Sequence, residues 1–117
     1  MRKILLFIIS LSFVFSHTIQ SAPIYLYKIL SVDDWNASQD KKIVQLSPKD
    51  NAFIHFAKEN QLNKITSKYW SDVPVFVILK IEYAKLLGTM KLENGYYHLY
   101  NGSIPFYCVT EVIYCSC

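Results

Sequence analysis

Two Asn-Gly pairs near the end of the chain constrain the fold more than any other feature of the sequence. They occupy positions 94–95 and 101–102, on either side of a short aromatic segment, residues 96–100. Asn-Gly favours two-residue hairpin turns because both residues tolerate positive φ. The two pairs therefore predict a three-stranded meander made of residues 89–93, residues 96–100 and a strand from Ser103 onward.

Two-residue turns also predict which side chains share a face of this meander. The first turn places Glu93 opposite Tyr96 and Lys91 opposite His98, and the second places Leu99 opposite Ile104. One face is then apolar and suited to a core: Met90, Leu92, Tyr97, Leu99 and Ile104. The other face is polar and aromatic: Lys91, Glu93, Tyr96, His98 and Tyr100.

The preceding part of the chain alternates β-like and helix-like segments. β-branched and aromatic runs predict strands at residues 24–30, 41–46, 52–56, 74–82 and, after the meander, 109–114. Helical spacing and capping residues predict short helices at 32–38 and 58–69 and a helical turn at 83–87. This mixture indicates an α+β fold, a split mixed or antiparallel sheet with two or three short helices and the C-terminal meander.

The first residues have the pattern of an export signal. A basic start, residues 1–3, precedes an uncharged apolar run, residues 4–15, and the chain turns polar at Ser16. The run is too short for a transmembrane helix, which needs about 20 apolar residues. We therefore predict a signal peptide over residues 1–22, cleaved between Ser16 and Ala22, and one exported domain over 23–117. An uncleaved anchor is the alternative.

Composition excludes several classes of function. Residues 23–117 contain no arginine, and their 10 basic residues nearly balance 9 acidic ones, so no nucleic-acid partner is expected. It has no Gly-rich phosphate loop, no HExxH and no GxSxG motif. Two histidines beyond the signal make a poor metal site, so no metal and no cofactor are expected. Contact with a membrane is expected only through the signal segment.

His55 and His98 are the residues most suited to chemistry. Both fall on predicted strands among aromatic residues, where a sugar or a ring system can stack. Glu93 is placed to orient His98 or to act as a base. Two plainer interpretations remain open: a half-buried histidine bonded to the backbone, and an ordinary aromatic sheet face.

Several segments together resemble the family called domain of unknown function 952. They are residues 27–30 with Trp35, Phe53-Ile54-His55-Phe56, Gln61-Leu62, residues 79–81, Leu92-Glu93 and His98-Leu99-Tyr100, spread over residues 24–113. That family is similar in fold to the ADP-ribosyltransferases, which hold NAD in a cleft of a split α+β sheet. The resemblance implies a cleft lined by His55 and His98, and an NAD-like molecule as a ligand to be considered.

Three functions are consistent with these observations. The first is an exported domain that binds a small nucleotide- or sugar-like ligand between the two histidines. The second is a transferase acting on NAD or a related phosphoribosyl ester. The third is a non-catalytic interaction module with the Tyr-rich meander as its surface. For the first two, the predicted catalytic residues are His55, His98 and Glu93, and the predicted ligand-binding residues are Tyr100, Tyr96 and Lys28.

Overall fold

The structure is a computed structural model that describes residues 21–116. The predicted signal peptide lies outside the described residues except for Ser21 and Ala22, and Cys117 lies outside them as well. Among the described residues, no helix has the length and apolar character needed to cross a membrane.

Six strands and two α-helices make up the described chain. In order they are β1 (Tyr25–Ser31), α1 (Val32–Ser38), β2 (Ile54–His55), α2 (Leu62–Tyr69), β3 (Val75–Glu82), β4 (Leu87–Glu93), β5 (Tyr96–Ser103) and β6 (Val109–Ser116). Short 3-10 turns lie at Pro48–Asp50, Glu59–Gln61, Tyr83–Lys85 and Phe106–Cys108. The predicted α+β class is confirmed.

The strands form two small antiparallel sheets. One has the order β1-β3-β6, and the other has the order β2-β5-β4. Residues that follow β2 join the two sheets: the Phe56 N–H donates to the Tyr97 carbonyl at 3.0 Å, and Ala57 exchanges two backbone hydrogen bonds with Tyr27. This link holds β2 between β5 and β1, which brings side chains of β1 close to the second sheet.

Alternation along the strands divides the buried side chains into two clusters. The larger one lies between the sheets and contains inward residues of β1, β3, β2 and β5, for example Leu26, Leu79, Ile54 and Leu99. The smaller one lies on the other face of the β1-β3-β6 sheet, where Leu62 and Ile65 of α2 cover Phe76 and Ile78. The central strand β3 is therefore buried on both faces, which explains its continuous apolar sequence.

Local sequence signals account for both helices. The Ser31 hydroxyl accepts a hydrogen bond from the Asp34 N–H at 3.0 Å, so α1 begins where its capping residue predicts. The predicted helix at 58–69 is a 3-10 turn followed by α2, whose apolar side faces the smaller cluster. The Gln61 side chain then donates to the Gly95 carbonyl at 2.8 Å and ties the start of α2 to the β4–β5 turn.

The prediction for the first Asn-Gly pair is confirmed and that for the second is wrong. Asn94 and Gly95 have φ of 53° and 86° and close a two-residue turn with the predicted pairs, Glu93 with Tyr96 and Lys91 with His98. At the second pair β5 continues to Ser103. Gly88 faces both Asn101 and Gly102, which makes a β-bulge, and the expected third meander strand and the pairing of Leu99 with Ile104 do not form.

The predicted strand at 41–46 is also wrong. Its only sheet-like contact in the described chain is an isolated bridge between Ile43 and Pro105, supported by the Val44 N–H donating to the Ile104 carbonyl at 2.9 Å. Val44 is nevertheless buried in the larger cluster. The apolar pattern here therefore reflects burial of a loop and not a ladder of strand pairs.

Candidate functional site

The two histidines are direct partners across the β2–β5 pair. His55 is in register with His98, and their ring centroids lie 5.2 Å apart with an interplanar angle of 70°. The alternation of β2 turns Ile54 into the core and His55 away from it, and β5 does the same with Leu99 and His98. The structure therefore brings together the two residues that the sequence singled out.

A buried carboxylate holds the His55 ring. Oδ1 of Asp50 lies 2.9 Å from Nδ1 of His55 and accepts the His55 backbone N–H at 3.0 Å. The same oxygen accepts the ammonium of Lys28 at 2.9 Å, and Lys28 also donates to the His55 carbonyl at 2.9 Å. The side chains of Lys28 and Asp50 are only 9% and 4% exposed. Together they fix both the backbone and the ring of His55.

A second carboxylate holds the His98 ring. Oε1 of Glu93 lies 2.8 Å from Nδ1 of His98 and accepts the Tyr100 hydroxyl at 2.7 Å. These two hydrogen bonds hold the pKa of Glu93 below its ordinary value, and the bond to Glu93 raises the pKa of Tyr100. Glu93 is therefore ionised at neutral pH and orients both neighbours.

Phe53 completes the aromatic part of the site. Its ring centroid lies 4.2 Å from that of His98, 4.7 Å from that of His55 and 5.0 Å from that of Tyr100. The His98 side chain is only 11% exposed as a result of this packing, whereas the His55 side chain is 50% exposed. The site thus has one enclosed and one solvent-facing imidazole.

The hydrogen bonds at Nδ1 determine what the other ring nitrogen can do. A carboxylate only accepts hydrogen bonds, so in both rings the bonded Nδ1 carries a proton. The Nε2 of a neutral ring is then an acceptor, and within residues 21–116 neither Nε2 has a hydrogen-bond partner. Each Nε2 therefore keeps an unused lone pair within the described chain, one of them on an almost buried ring.

The other predicted site residues lie at different positions around the two histidines. Tyr96 is half-buried and lies on the same face as His98, in register with Glu93. Lys28 lies beneath His55, bound to Asp50, and its contact with a ligand stays a prediction. Lys91 is exposed beside His98, and its ammonium lies 4.8 Å from the centroid of the Tyr100 ring.

Sequence reasoning missed two residues of the site, Asp50 and Phe53. Asp50 reads as an ordinary turn residue after Pro48, and its role appears only when β1 brings Lys28 beneath the loop. Phe53 shares its face with His55 by alternation, which was a usable signal, but alternation does not reveal that its ring also packs on His98. Gln61, which reads as a surface residue, links α2 to the β4–β5 turn.

The described residues contain no group of three or more His, Cys, Asp or Glu side chains arranged to hold a metal ion. The arrangement consists instead of two carboxylate–histidine pairs, Asp50–His55 and Glu93–His98, that we call the two-histidine site. Carboxylates in this position fix the tautomer of an imidazole and stabilise its protonated form. Such a pair leaves Nε2 able to accept a hydrogen bond or a proton.

We predict that acid destabilises the protein through these carboxylates. Burial alone would raise the pKa of Asp50, but the charge of Lys28 and the hydrogen bonds from His55 and Lys28 outweigh burial and hold that pKa below its ordinary value. A carboxyl with a depressed pKa in the folded state contributes stability above its unfolded pKa, and that stability disappears as pH falls through the folded pKa. The free energy of unfolding, measured with urea, should therefore fall steadily below about pH 5.

Glu93→Gln provides the control for the acid effect, because it removes one of the two titrating groups and leaves the buried pair intact. The variant should lose stability less steeply with acid than the natural chain does. Equal slopes in the two proteins, or a free energy of unfolding that does not change between neutral and acid pH, would contradict the assignment.

The chain matches one family profile and resembles solved protein structures. The sequence profile of the family described as "Protein of unknown function (DUF952)" matches residues 29–112, which is most of the chain. The crystal structure of protein CC0527 from Caulobacter crescentus is similar, with a TM-score of 0.65 and 24% identity over 76% of this chain and 83% of that one. The solution NMR structure of CC0527 matches with a TM-score of 0.66 and 26% identity over 78% and 84%. No curated protein matches the sequence significantly.

Proposed function

Because the chain belongs to the DUF952 family, whose description assigns no reaction, we propose from the geometry that its two-histidine site binds a small ligand through hydroxyl groups, the ribose of a nucleotide being the best fit. The observation that carries this proposal is that, in the part of the chain that the structure describes, the Nε2 atoms of two adjacent rings have no hydrogen-bond partner. Each acts as an acceptor when the ring is neutral, so the matching ligand groups are donors. Vicinal hydroxyls of a sugar supply two donors side by side.

Aromatic content supports a ligand with a base over a bare sugar phosphate. The buried ammonium of Lys28 is committed to Asp50 and the His55 carbonyl, so it is not free to clamp a phosphate. Aromatic rings lie close to the histidines: Phe53 packs on both imidazoles and on Tyr100, and Tyr96 lies on the same face of β5. Such rings suit stacking with a base or the apolar face of a sugar. The ADP-ribosyltransferase-like arrangement expected from the sequence agrees with this proposal, since that fold holds an adenosine-containing ligand.

The proposal is tested by comparing adenosine with 2′,3′-dideoxyadenosine as ligands of the full chain. Adenosine should stabilise the protein against heat, by about 2.7 kcal/mol at 100 times its dissociation constant. The dideoxy analogue should bind at least about tenfold more weakly, since each missing hydrogen bond costs roughly 1 kcal/mol. Equal affinity for the two nucleosides, or no binding of either, would contradict the proposal.

Matched variants locate the binding. His98→Gln and His55→Gln should remove the preference for adenosine over its dideoxy analogue, whereas Tyr107→Phe, at an exposed residue in the 3-10 turn after β5, should not. If both histidine variants still prefer adenosine over its dideoxy analogue, the nucleoside binds at some other site.

Transferase chemistry on NAD is the second candidate. Glu93 lies beside His98, as a group that stabilises an oxocarbenium ion would, but its Oε1 already accepts hydrogen bonds from His98 and Tyr100. This engagement favours an orienting role for Glu93. Release of nicotinamide from NAD by the natural chain, lost in Glu93→Gln, would favour the transferase over simple binding.

A further inference from the structure

The two-histidine site contains the two groups that concerted proton transfer requires. Each imidazole is hydrogen-bonded through Nδ1 to its own carboxylate, and its Nε2 has no partner among residues 21–116. In such a pair one ring can take a proton as a general base while the other, when protonated, gives one as a general acid. The rings are neighbours, with centroids 5.2 Å apart, so both can reach atoms bonded to one centre.

We propose that the site cleaves a small phosphodiester that carries a ribose hydroxyl next to the phosphorus, such as a dinucleoside monophosphate. The proposal rests on the nucleotide binding inferred above. The site would then not only bind a ribose hydroxyl but also remove its proton. The near balance of basic and acidic residues over positions 23–117 favours a short substrate over a nucleic-acid polymer, which would need an extended basic surface.

The surroundings of the rings point to an internal hydroxyl of the substrate as the nucleophile. In the described chain, the side chains that hydrogen-bond to the two rings or stack on them are Asp50, Glu93 and Phe53, and none of these has a hydroxyl or thiol able to attack. The neighbouring Tyr100 hydroxyl already donates its hydrogen bond to Glu93 at 2.7 Å. A reaction that needs an acid and a base but no protein nucleophile is transesterification by a neighbouring hydroxyl. Both protons then move at oxygens of the same phosphorus centre, within about 2.6–3.2 Å of their Nε2 partners.

The difference in solvent exposure between the two imidazoles indicates which is the general base and which is the general acid. His98, almost enclosed and held by Glu93, is the base, and His55, half exposed and held by Asp50, is the acid because water can return its proton. Nε2 of neutral His98 takes the proton of the 2′-hydroxyl as its oxygen forms a bond to phosphorus. The bond from phosphorus to O5′ breaks, and O5′ receives the proton from Nε2 of protonated His55. The products are a 2′,3′-cyclic phosphate and a nucleoside with a free 5′-hydroxyl, and proton exchange with water restores both rings.

A lysine whose ammonium packs over the Tyr100 ring lies on the same face. Lys91 is in register with His98 on the neighbouring strand and is exposed. Its ammonium can approach a non-bridging phosphoryl oxygen, where negative charge increases in the transition state. The other charged groups around the pair, Asp50 with Lys28 and Glu93 with Tyr100, are engaged with one another or with the rings.

The experiment incubates the full chain with uridylyl-3′,5′-adenosine and with its 2′-deoxyuridylyl analogue, and follows products by chromatography and ³¹P NMR. The ribonucleotide should yield uridine 2′,3′-cyclic phosphate and adenosine, and the deoxy analogue should remain intact. His98→Gln and His55→Gln should each slow cleavage by about 10²- to 10⁴-fold. Lys91→Ala should slow it as well, whereas Lys64→Ala, an exposed lysine on α2, should not.

Glu93→Gln tests a positioning role through the pH profile of the rate. A bell-shaped profile is expected for the natural chain, and the variant should shift the limb that reports the base and not merely lower the rate at every pH. Cleavage that survives both histidine substitutions, or that proceeds equally with the deoxy analogue, would overturn the inference. Binding of adenosine without any cleavage would overturn this inference and leave the proposed function standing, and absence of binding would overturn both.

Discussion

Replacing Asp50 with alanine is expected to lower the free energy of unfolding by about 3–5 kcal/mol, the largest effect of any substitution at the site. The variant leaves the ammonium of Lys28 buried with only the His55 carbonyl as a partner. An uncompensated buried charge costs far more than a lost surface ion pair. Urea unfolding measures the change directly, and a melting temperature about 4–8 °C lower per kcal/mol should accompany it.

Two controls separate this effect from a general sensitivity to lost carboxylates. Asp72→Ala, at an exposed residue after α2, should change the free energy of unfolding by no more than about 0.5 kcal/mol. The double variant Lys28→Met with Asp50→Leu removes both charges and should recover much of the lost stability. A loss below about 1 kcal/mol in Asp50→Ala, typical of an exposed pair, would show that the pair is not buried as described.

Gly102→Ala is expected to destabilise the protein by about 1–3 kcal/mol because the added methyl group has no room. Its Cβ would lie 2.4 Å from the Leu87 carbonyl oxygen and 2.8 Å from a methyl group of Leu99. This steric clash can be relieved only if β4 and β5 move apart at the bulge. Amide hydrogen exchange should therefore increase at Leu87 and Ser103, the pair beyond the bulge.

Gly95→Ala makes the matched comparison, since a Cβ there meets nothing within 4 Å but the backbone has a φ of 86°. Its cost should come from the backbone alone, about 1–2 kcal/mol, and the exchange of Leu87 should stay unchanged. If Gly102→Ala changes neither the free energy of unfolding nor the amide hydrogen exchange, the assignment of a β-bulge at Gly102 is wrong.

The two Asn-Gly pairs illustrate how far sequence could predict this fold. Both satisfy the same local rule, and the first forms the expected turn with the expected register. At the second, the left-handed conformation of Asn101 serves a bulge, because β4 offers Leu87 as a further partner for β5 and the strand gains pairing by continuing. Local preference permits both structures, and long-range strand pairing decides between them.

In the site, too, some residues are positioned by local sequence and others by contacts between distant parts of the chain. The hairpin rule correctly placed Glu93, His98 and Tyr100 on one face, because those residues lie close together in sequence. The pairing of His55 with His98 depends on β2 docking against β5 far along the chain, and the role of Asp50 depends on Lys28 reaching across from β1. Such contacts leave no periodicity in the sequence.

The most direct test of the two-histidine site follows the ring nitrogens of His55 and His98 by ¹H–¹⁵N NMR while adenosine is added to the full chain. Both Nε2 signals should move along one binding curve, and 2′,3′-dideoxyadenosine at the same concentration should leave them almost unmoved. A response from one ring only, two curves with different midpoints, or no response would contradict a shared site.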